Sequence, residues 1–306
     1  MFDPHYFMYF VFALKMNLQE YFQRIGFQGS CDKPDLATLR EIHKHHILSI
    51  PFENLSIHSG ERNVVDLEVT FHKLVRRHRG GWCFENNYLF FWVLMELGYN
   101  ATMLSSKVFN NSIDDFEQQD THLIVKVLID GKAFICDVSY GMMSQMWYPL
   151  ELISGKDQPQ PAGVFRLIDT EDVWVLERNR RIPKVLNPEF NTSRLVDKKD
   201  IVTIYNFTMT PRDSNYFLEC NDQHQINPDS LFTKMSMCSL QTPTGLKALI
   251  GWSYAEVTFL PEEGANVFDI RYIVDDEIDK VLKEKFNLVL KNRLQPKGPH
   301  PLAKKV

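Results

Sequence analysis

Cys83, His122 and Asp137 are residues whose types could together make a nucleophile. A cysteine reacts as its thiolate. A histidine can take the thiol proton, and a carboxylate can fix the histidine tautomer and stabilise the imidazolium. Cys83 follows two glycines in Arg79-Gly80-Gly81-Trp82-Cys83-Phe84-Glu85-Asn86-Asn87. Phe84, Tyr88, Phe91, Trp92 and Met95 then recur at helical spacing, and Gly98 stands where a C-terminal glycine is expected. The cysteine therefore falls at or near a helix N-terminus, where unpaired N–H groups and the helix dipole favour an anion such as a thiolate. A small buried hydrophobe is the competing reading.

The other two residues lie on a predicted hairpin. Thr121–Ile129 and Lys132–Val138 are β-rich runs flanking Asp130-Gly131, a strong two-residue turn signal. If Ile129 pairs with Lys132, His122 falls opposite Ser139 and Asp137 opposite Ile124. Alternation then puts His122 and Asp137 on one face as diagonal neighbours, within reach if the sheet twists or bulges near its end. Cys136 points the other way and reads as structural. A solvated strand-end histidine and an edge acid are the competing readings, and spacing alone does not exclude them.

Around these residues the pattern divides the chain. Residues 16–98 read as helical, with Asp35 opening a second helix and Pro51 breaking it. His43, His45 and His46 lack a matching acidic or cysteine partner, so packing or solvation is expected of them rather than a metal. Arg76-Arg77-His78-Arg79 reads as a solvated helix face or, beside a reactive site, a phosphate contact. Residues 99–207 are rich in strands, including Val164–Ile168, Val173–Leu176 and Ile201–Phe207, and their spacing suggests a barrel. Arg178–Asp200, polar and broken by Pro183 and Pro188, is expected to be a surface excursion. Residues 208–306 are mixed, with a polar loop near Asn221–Asp229, strands near Ala255–Leu260 and Val267–Ile273, and a helix over Asp275–Leu290.

Composition sets limits on function. The 306 residues suffice for a sizeable core, and 44% hydrophobic with 24% charged residues is ordinary for a globular protein. A formal net charge of -5 gives no general pull toward nucleic acid or anionic membrane. The five cysteines are scattered with no CxxC pair, which points to neither a disulfide framework nor a zinc site and fits a reduced, cytoplasmic setting. The apolar run Tyr6–Leu14 is too short to span a bilayer. Residues 1–15 read as an extension outside the fold, with Met16 a second possible start.

The chain resembles the arylamine N-acetyltransferases, the vertebrate members most closely. The resemblance is carried by the Arg79–Cys83 signature with Glu85 and Asn87, by Pro51-Phe52-Glu53-Asn54-Leu55, by Gln145-Met146-Trp147, by Pro149–Gln160 and by Cys238-Ser239-Leu240-Gln241-Thr242-Pro243. It implies an α+β fold with an N-terminal helical bundle (16–98), a central β-barrel (99–207, with an insertion at about 178–200) and a C-terminal α/β lid (208–306). It also implies a cysteine-protease-like Cys83–His122–Asp137 triad that takes acetyl from acetyl-coenzyme A and passes it, by a ping-pong route, to arylamines, hydrazines or N-hydroxyarylamines. The expected partners are these small molecules and coenzyme A, with no metal, nucleic acid or membrane, and the expected state is a monomer.

At coenzyme-contact positions of the family stand Gln118, Gln119, Gln223 and Asp229. Vertebrate relatives carry smaller, hydroxyl-bearing residues before the histidine, and the acids in Glu117-Gln118-Gln119-Asp120-Thr121 are unfavourable near a pyrophosphate. Thr121, Phe52, Val108, Tyr140, Met142, Ser144 and Phe232 fall at or beside acceptor-pocket positions. Met142 stands where relatives often have an arginine that could pair with a carboxylate, which implies a preference for neutral, hydrophobic arylamines over aminobenzoates. The alternatives are a cysteine hydrolase or transglutaminase-like enzyme sharing the triad, and a non-enzymatic binding protein with a decayed site.

Overall fold

The computed structural model describes residues 15–298, so the extension expected at 1–15 lies, apart from Lys15, outside the described residues. The N-terminal third is helical. Helix α1 (Leu18–Ile25) starts where the Asn17 side chain accepts the Gln19 N–H. Helix α2 (Leu36–Ser49) starts where Asp35 accepts the Thr38 N–H at 2.8 Å. Helix α3 (Leu67–Phe71) runs on into a π-turn over His72–Arg76, and α4 (Cys83–Glu96) carries the cysteine, with Gly98 at φ +80° just past its end. Tyr21, Leu39, Ile42, Phe71, Phe84 and Phe90 join these helices in one buried cluster.

Two polar groups in this bundle are buried for a structural reason. His46 lies between Tyr21 Oη (2.8 Å) and Asn86 Oδ1 (3.2 Å), and His43 lies between the Trp147 carbonyl (3.0 Å) and the Asp137 N–H (3.3 Å). Both rings are held by these partners inside the bundle. The basic run is not a solvated helix face. Arg76 pairs with Glu20 (2.7 Å), Arg77 with Glu61 (3.1 Å), and Arg79 is buried on Glu53 (2.7 Å). The reason is local: the helical turn ends at Arg76, and the chain from there to Gly81 runs inward past the acids that Glu53 and Glu61 supply.

The central sheet curls into a nearly closed barrel. Its strands are β2 (Asn100–Asn110), β4 (His122–Ile129), β5 (Lys132–Cys136), β6 (Leu150–Glu151), β7 (Gln158–Gln160), β8 (Gly163–Asp169), β9 (Trp174–Arg180) and β11 (Ile201–Pro211), with β3 (Asp115–Phe116) beside β2. They run in the order β6-β5-β4-β2-β11-β9-β8-β7. A bridge between Ser154 and Leu167 draws the two ends of that order together. Asp130 (φ 49°) and Gly131 (φ 75°) make the predicted tight turn, and Ile129 pairs with Lys132 as its two-residue geometry requires. Leu104, Ile124, Ile135, Phe165, Leu167 and Leu176 fill the interior.

A second sheet draws strands from all three stretches of the chain. Its order is β1-β12-β13-β14-β15-β10. Here β1 is Phe52–Glu53, β10 is Ile182–Val185, β12 is Met237–Thr242, β13 is Gly245–Ile250, β14 is Ser253–Leu260 and β15 is Ala265–Tyr272. Two short helices, α5 (Leu218–Ile226) and α6 (Leu231–Lys234), stand where a polar loop is expected, and α7 (Asp275–Phe286) covers the sheet. Helix α7 ends before Leu290 because Asn287 turns the backbone left-handed at φ 53°. The stretch 178–200 is not simply an excursion. It completes β9, adds β10 parallel to β15 and buries Arg178 completely, its Nη2 donating to Asp197 at 2.7 Å. The whole is an α+β architecture, and among the described residues no helix is long and apolar enough to cross a membrane.

Candidate active site

Glycine brings two distant stretches together. Gly81 N–H donates to the Pro51 carbonyl (3.1 Å) and Glu53 N–H to the Gly81 carbonyl (3.0 Å). A Cβ on Gly80 would lie 2.3 Å from the Pro51 carbonyl oxygen, so only glycine admits this approach. The chain then enters α4 with Cys83 as its first residue, and Glu85 accepts the Trp82 N–H at 3.2 Å. Glu85 is buried, which raises its pKa, and Lys73 offsets that charge from 2.8 Å. The cysteine is thus fixed at a helix start whose capping acid is already neutralised.

On the hairpin, His122 Nε2 lies 2.7 Å from Asp137 Oδ2, with both side chains buried. Strand β5 ends at Cys136, so Asp137 is released from the ladder and swings to the histidine. Cys136 itself is buried on the opposite face, and burial pushes its thiol well up. For Asp137, burial would raise the pKa, but His122, Asn87 and the Ser139 N–H outweigh it and hold the carboxyl low. For His122, burial favours the neutral ring; Asp137 and Cys83 outweigh it and hold its pKa well above the usual histidine value. With Nε2 on the aspartate, Nδ1 is the nitrogen left for the thiol. The Cys83 thiol also donates to the Thr121 carbonyl at 3.9 Å.

Supporting groups with no expected role in the triad complete the arrangement. Asn87 Nδ2 donates to Asp137 Oδ1 (2.9 Å) and to the Leu123 carbonyl (2.7 Å), while its Oδ1 accepts the Val138 N–H (2.9 Å). Gln145 donates to the Asp137 carbonyl, and His43 accepts its N–H. Tyr205, opposite Val108 on β2, stands 5.4 Å from the His122 ring. His224 on α5 donates to the Thr121 carbonyl (3.1 Å) and stacks on Phe84. Its neighbour Cys220 lies 3.8 Å away, and burial pushes that thiol up to about 12. Asn87 and Gln145 lie in the motifs quoted above, but what they contact is set only by tertiary structure.

On the barrel side of His122 stand Tyr140, 5.4 Å from its ring, and Tyr205. Phe52 and Phe232 face each other at 6.3 Å, and Phe232 also packs on Trp82 at 5.4 Å. Met142 donates no more than its backbone N–H, to Ser239 Oγ at 3.2 Å, and Ser144 is buried in the same short turn. Thr121 Oγ1 is buried and unpartnered among the described residues. Tyr140 and Tyr205 thus stand against the His122 ring, and Phe52 and Phe232 form an aromatic group with Trp82, the residue before the cysteine.

Of the expected coenzyme positions, Gln118 and Gln119 line a cleft of about 610 Å³, together with Asp120 and Cys220. Gln223 on α5 and Asp229 just after it are exposed outside that lining, and Asp229 is tied to Lys234 at 2.8 Å. Asp120 is not a bare acid. Ser105 Oγ and Tyr216 Oη donate to it at 2.6 Å each, and Arg212 lies 3.6 Å away.

Known proteins resemble this chain over most of its length. Residues 35–295 match a family described as N-acetyltransferase. The chain is 46% identical over 281 residues to the arylamine N-acetyltransferase, pineal gland isozyme NAT-10, of Gallus gallus, covering 92% of this chain and 97% of that protein. It is 42% identical over 282 residues to arylamine N-acetyltransferase 1 of Bos taurus, with the same coverages. Among solved structures, the arylamine N-acetyltransferase of Nocardia farcinica superposes with a TM-score of 0.75 at 29% identity, covering 90% of each chain. The Mycobacterium marinum arylamine N-acetyltransferase in complex with CoA superposes at 0.74 and 25% identity, covering 89% of this chain and 92% of that one. The chain belongs to the arylamine N-acetyltransferase family of acyltransferases.

Proposed function

We propose that this enzyme acetylates aromatic amines, hydrazines and N-hydroxyarylamines through an acetyl-Cys83 intermediate, with acetyl-coenzyme A as donor. The observation that carries the reading is the buried His122–Asp137 pair at 2.7 Å beside a cysteine at the start of a helix. The relative from Mycobacterium marinum was solved with CoA, which supports the donor. In the first half-reaction Cys83 sulfur attacks the acetyl carbonyl carbon. The bond from that carbon to the coenzyme sulfur breaks, and coenzyme A leaves as its thiol with a proton from the His122 imidazolium. First-turn N–H groups of α4 are the oxyanion donors in this reading. In the second half-reaction the amine nitrogen attacks the acetyl-cysteine carbonyl and gives its proton to His122. The carbon–sulfur bond breaks, and Cys83 and His122 return to their starting state.

The aromatic rings of Tyr140, Tyr205, Phe52 and Phe232 and the absence of a cation at Met142 support uncharged, flat acceptors, as in the disposal of foreign amines. Five free cysteines suit a reducing, cytoplasmic setting.

The test is intact-protein mass after mixing with acetyl-coenzyme A alone, for wild type and Cys83→Ala. One acetyl adduct is expected on the wild type and none on the mutant, with aniline discharging it faster than p-aminobenzoate. An adduct lost in water as fast as with amine would favour a hydrolase. Equal discharge by the two amines would refute the acceptor preference.

A further inference from the structure

We propose that the cleft of about 610 Å³ takes the phosphate-bearing end of the acyl donor, and that Lys107 is the cation that meets it. This rests on the acetyl-transfer reading above and says where the donor's charge goes. The cleft falls within the usual size range of small-molecule sites. Two of its lining residues lead to the thiol: Asp120 precedes Thr121, whose carbonyl the Cys83 thiol contacts, and Cys220 lies 3.8 Å from His224, which donates to the same carbonyl.

Four charged residues line this cleft: Asp120, Glu219, Arg212 and Lys107. Two of them are committed to each other. Asp120 accepts from Ser105 and Tyr216 and faces Arg212, while Arg212 Nε donates to Ser105 Oγ (3.1 Å) and its guanidinium lies 4.1 Å over the Tyr216 ring. Lys107 differs. Among the described residues its ammonium has no hydrogen-bond or ion-pair partner, although it is only partly exposed. A lysine is a compact point charge suited to phosphate. The acid at Glu219 and the acidic Glu117–Thr121 stretch make such a charge necessary if an anion is to enter.

Strand alternation assigns the two substrates to two faces. Ser105 and Lys107 look into the cleft, as does Asn206 opposite Lys107 on β11. Ser106 and Val108 face the other way; Ser106 pairs with His122 and Val108 with Tyr205. One strand thus separates the donor cleft from the acceptor side, and the thiol sits on the Thr121 carbonyl next to Asp120 of the cleft.

The experiment compares acetyl-coenzyme A with p-nitrophenyl acetate, a donor without phosphate, using aniline as acceptor. Lys107→Glu is expected to shift the ratio of kcat/KM for the two donors about tenfold against the coenzyme, through KM, and to flatten its dependence on ionic strength. Lys107→Arg is expected to stay within about threefold of wild type, and Glu219→Gln to shift the ratio toward the coenzyme. A ratio within twofold of wild type in Lys107→Glu would overturn the proposal, as would an equal fall with both donors. A wild-type protein acetylated by neither donor would overturn the acetyl-transfer reading itself, and this one with it.

Discussion

Asn87 shows how much a single residue carries. Its amide makes three hydrogen bonds that join α4, β4 and the Asp137 turn. Removing it strips a donor from a buried carboxylate and leaves the Leu123 carbonyl and Val138 N–H unpaired. Asn87→Ala is expected to lower kcat on the order of 100-fold, with the far-ultraviolet circular dichroism retained. Because Asp137 would lose a hydrogen bond that holds its pKa low, the acid limb of the pH–rate profile should move to higher pH. An unmoved limb would reduce Asn87 to packing.

At the scale of elements, the stretch 178–200 ties the barrel to the second sheet through β10. Its anchor is Arg178, fully buried, with one hydrogen bond to Asp197 and no partner for Nε or Nη1 among the described residues. Asp197→Asn removes the countercharge from a buried cation, a change that costs about 3 kcal/mol when desolvation is complete. Asp197 is 20% exposed, so somewhat less is expected, a fall in Tm of roughly 5 °C. The neighbouring Arg180–Asp200 pair, with its acid 93% exposed, is the control: Asp200→Asn should leave Tm nearly unchanged in the same scan. Equal shifts in the two variants would mean that the buried pair holds nothing together.

For the whole molecule, two histidines make stability depend on acid. Burial lowers His43 to about 4 and His46 to about 3, against about 6.5 in an unfolded chain. The unfolded state therefore binds more protons between those values. Stability from keeping these rings neutral is fully present above about pH 6.5 and is lost as pH falls toward 4. Melts at pH 7, 5.5 and 4.5 should show Tm falling steadily, and His46→Asn, from a lower start, should flatten that slope. An unchanged slope in the variant would assign the acid sensitivity to carboxylates such as Asp137, whose depressed pKa acts in the same direction.

Much of this protein is written locally. The turn at Asp130-Gly131 needs only those two residues, and from it follow the register of β4 and β5 and the shared face of His122 and Asp137. The helix after Cys83 is equally legible, because apolar spacing and an end glycine are short-range signals. Membership of the family was readable from the Arg79–Cys83 signature and the stretches that accompany it. What only the tertiary structure decided is where distant, unpatterned polar groups meet. The sequence assigns no strand to β12 or β13, which pair as a hairpin, and Arg178 reads as a surface residue because its polar neighbours conceal a strand. Arg79 finds Glu53, Asn87 finds Asp137, and Lys107 is left without a partner among the described residues only after the chain has closed. Such contacts depend on which surfaces are buried together, and burial is a property of the packed molecule rather than of any window of sequence.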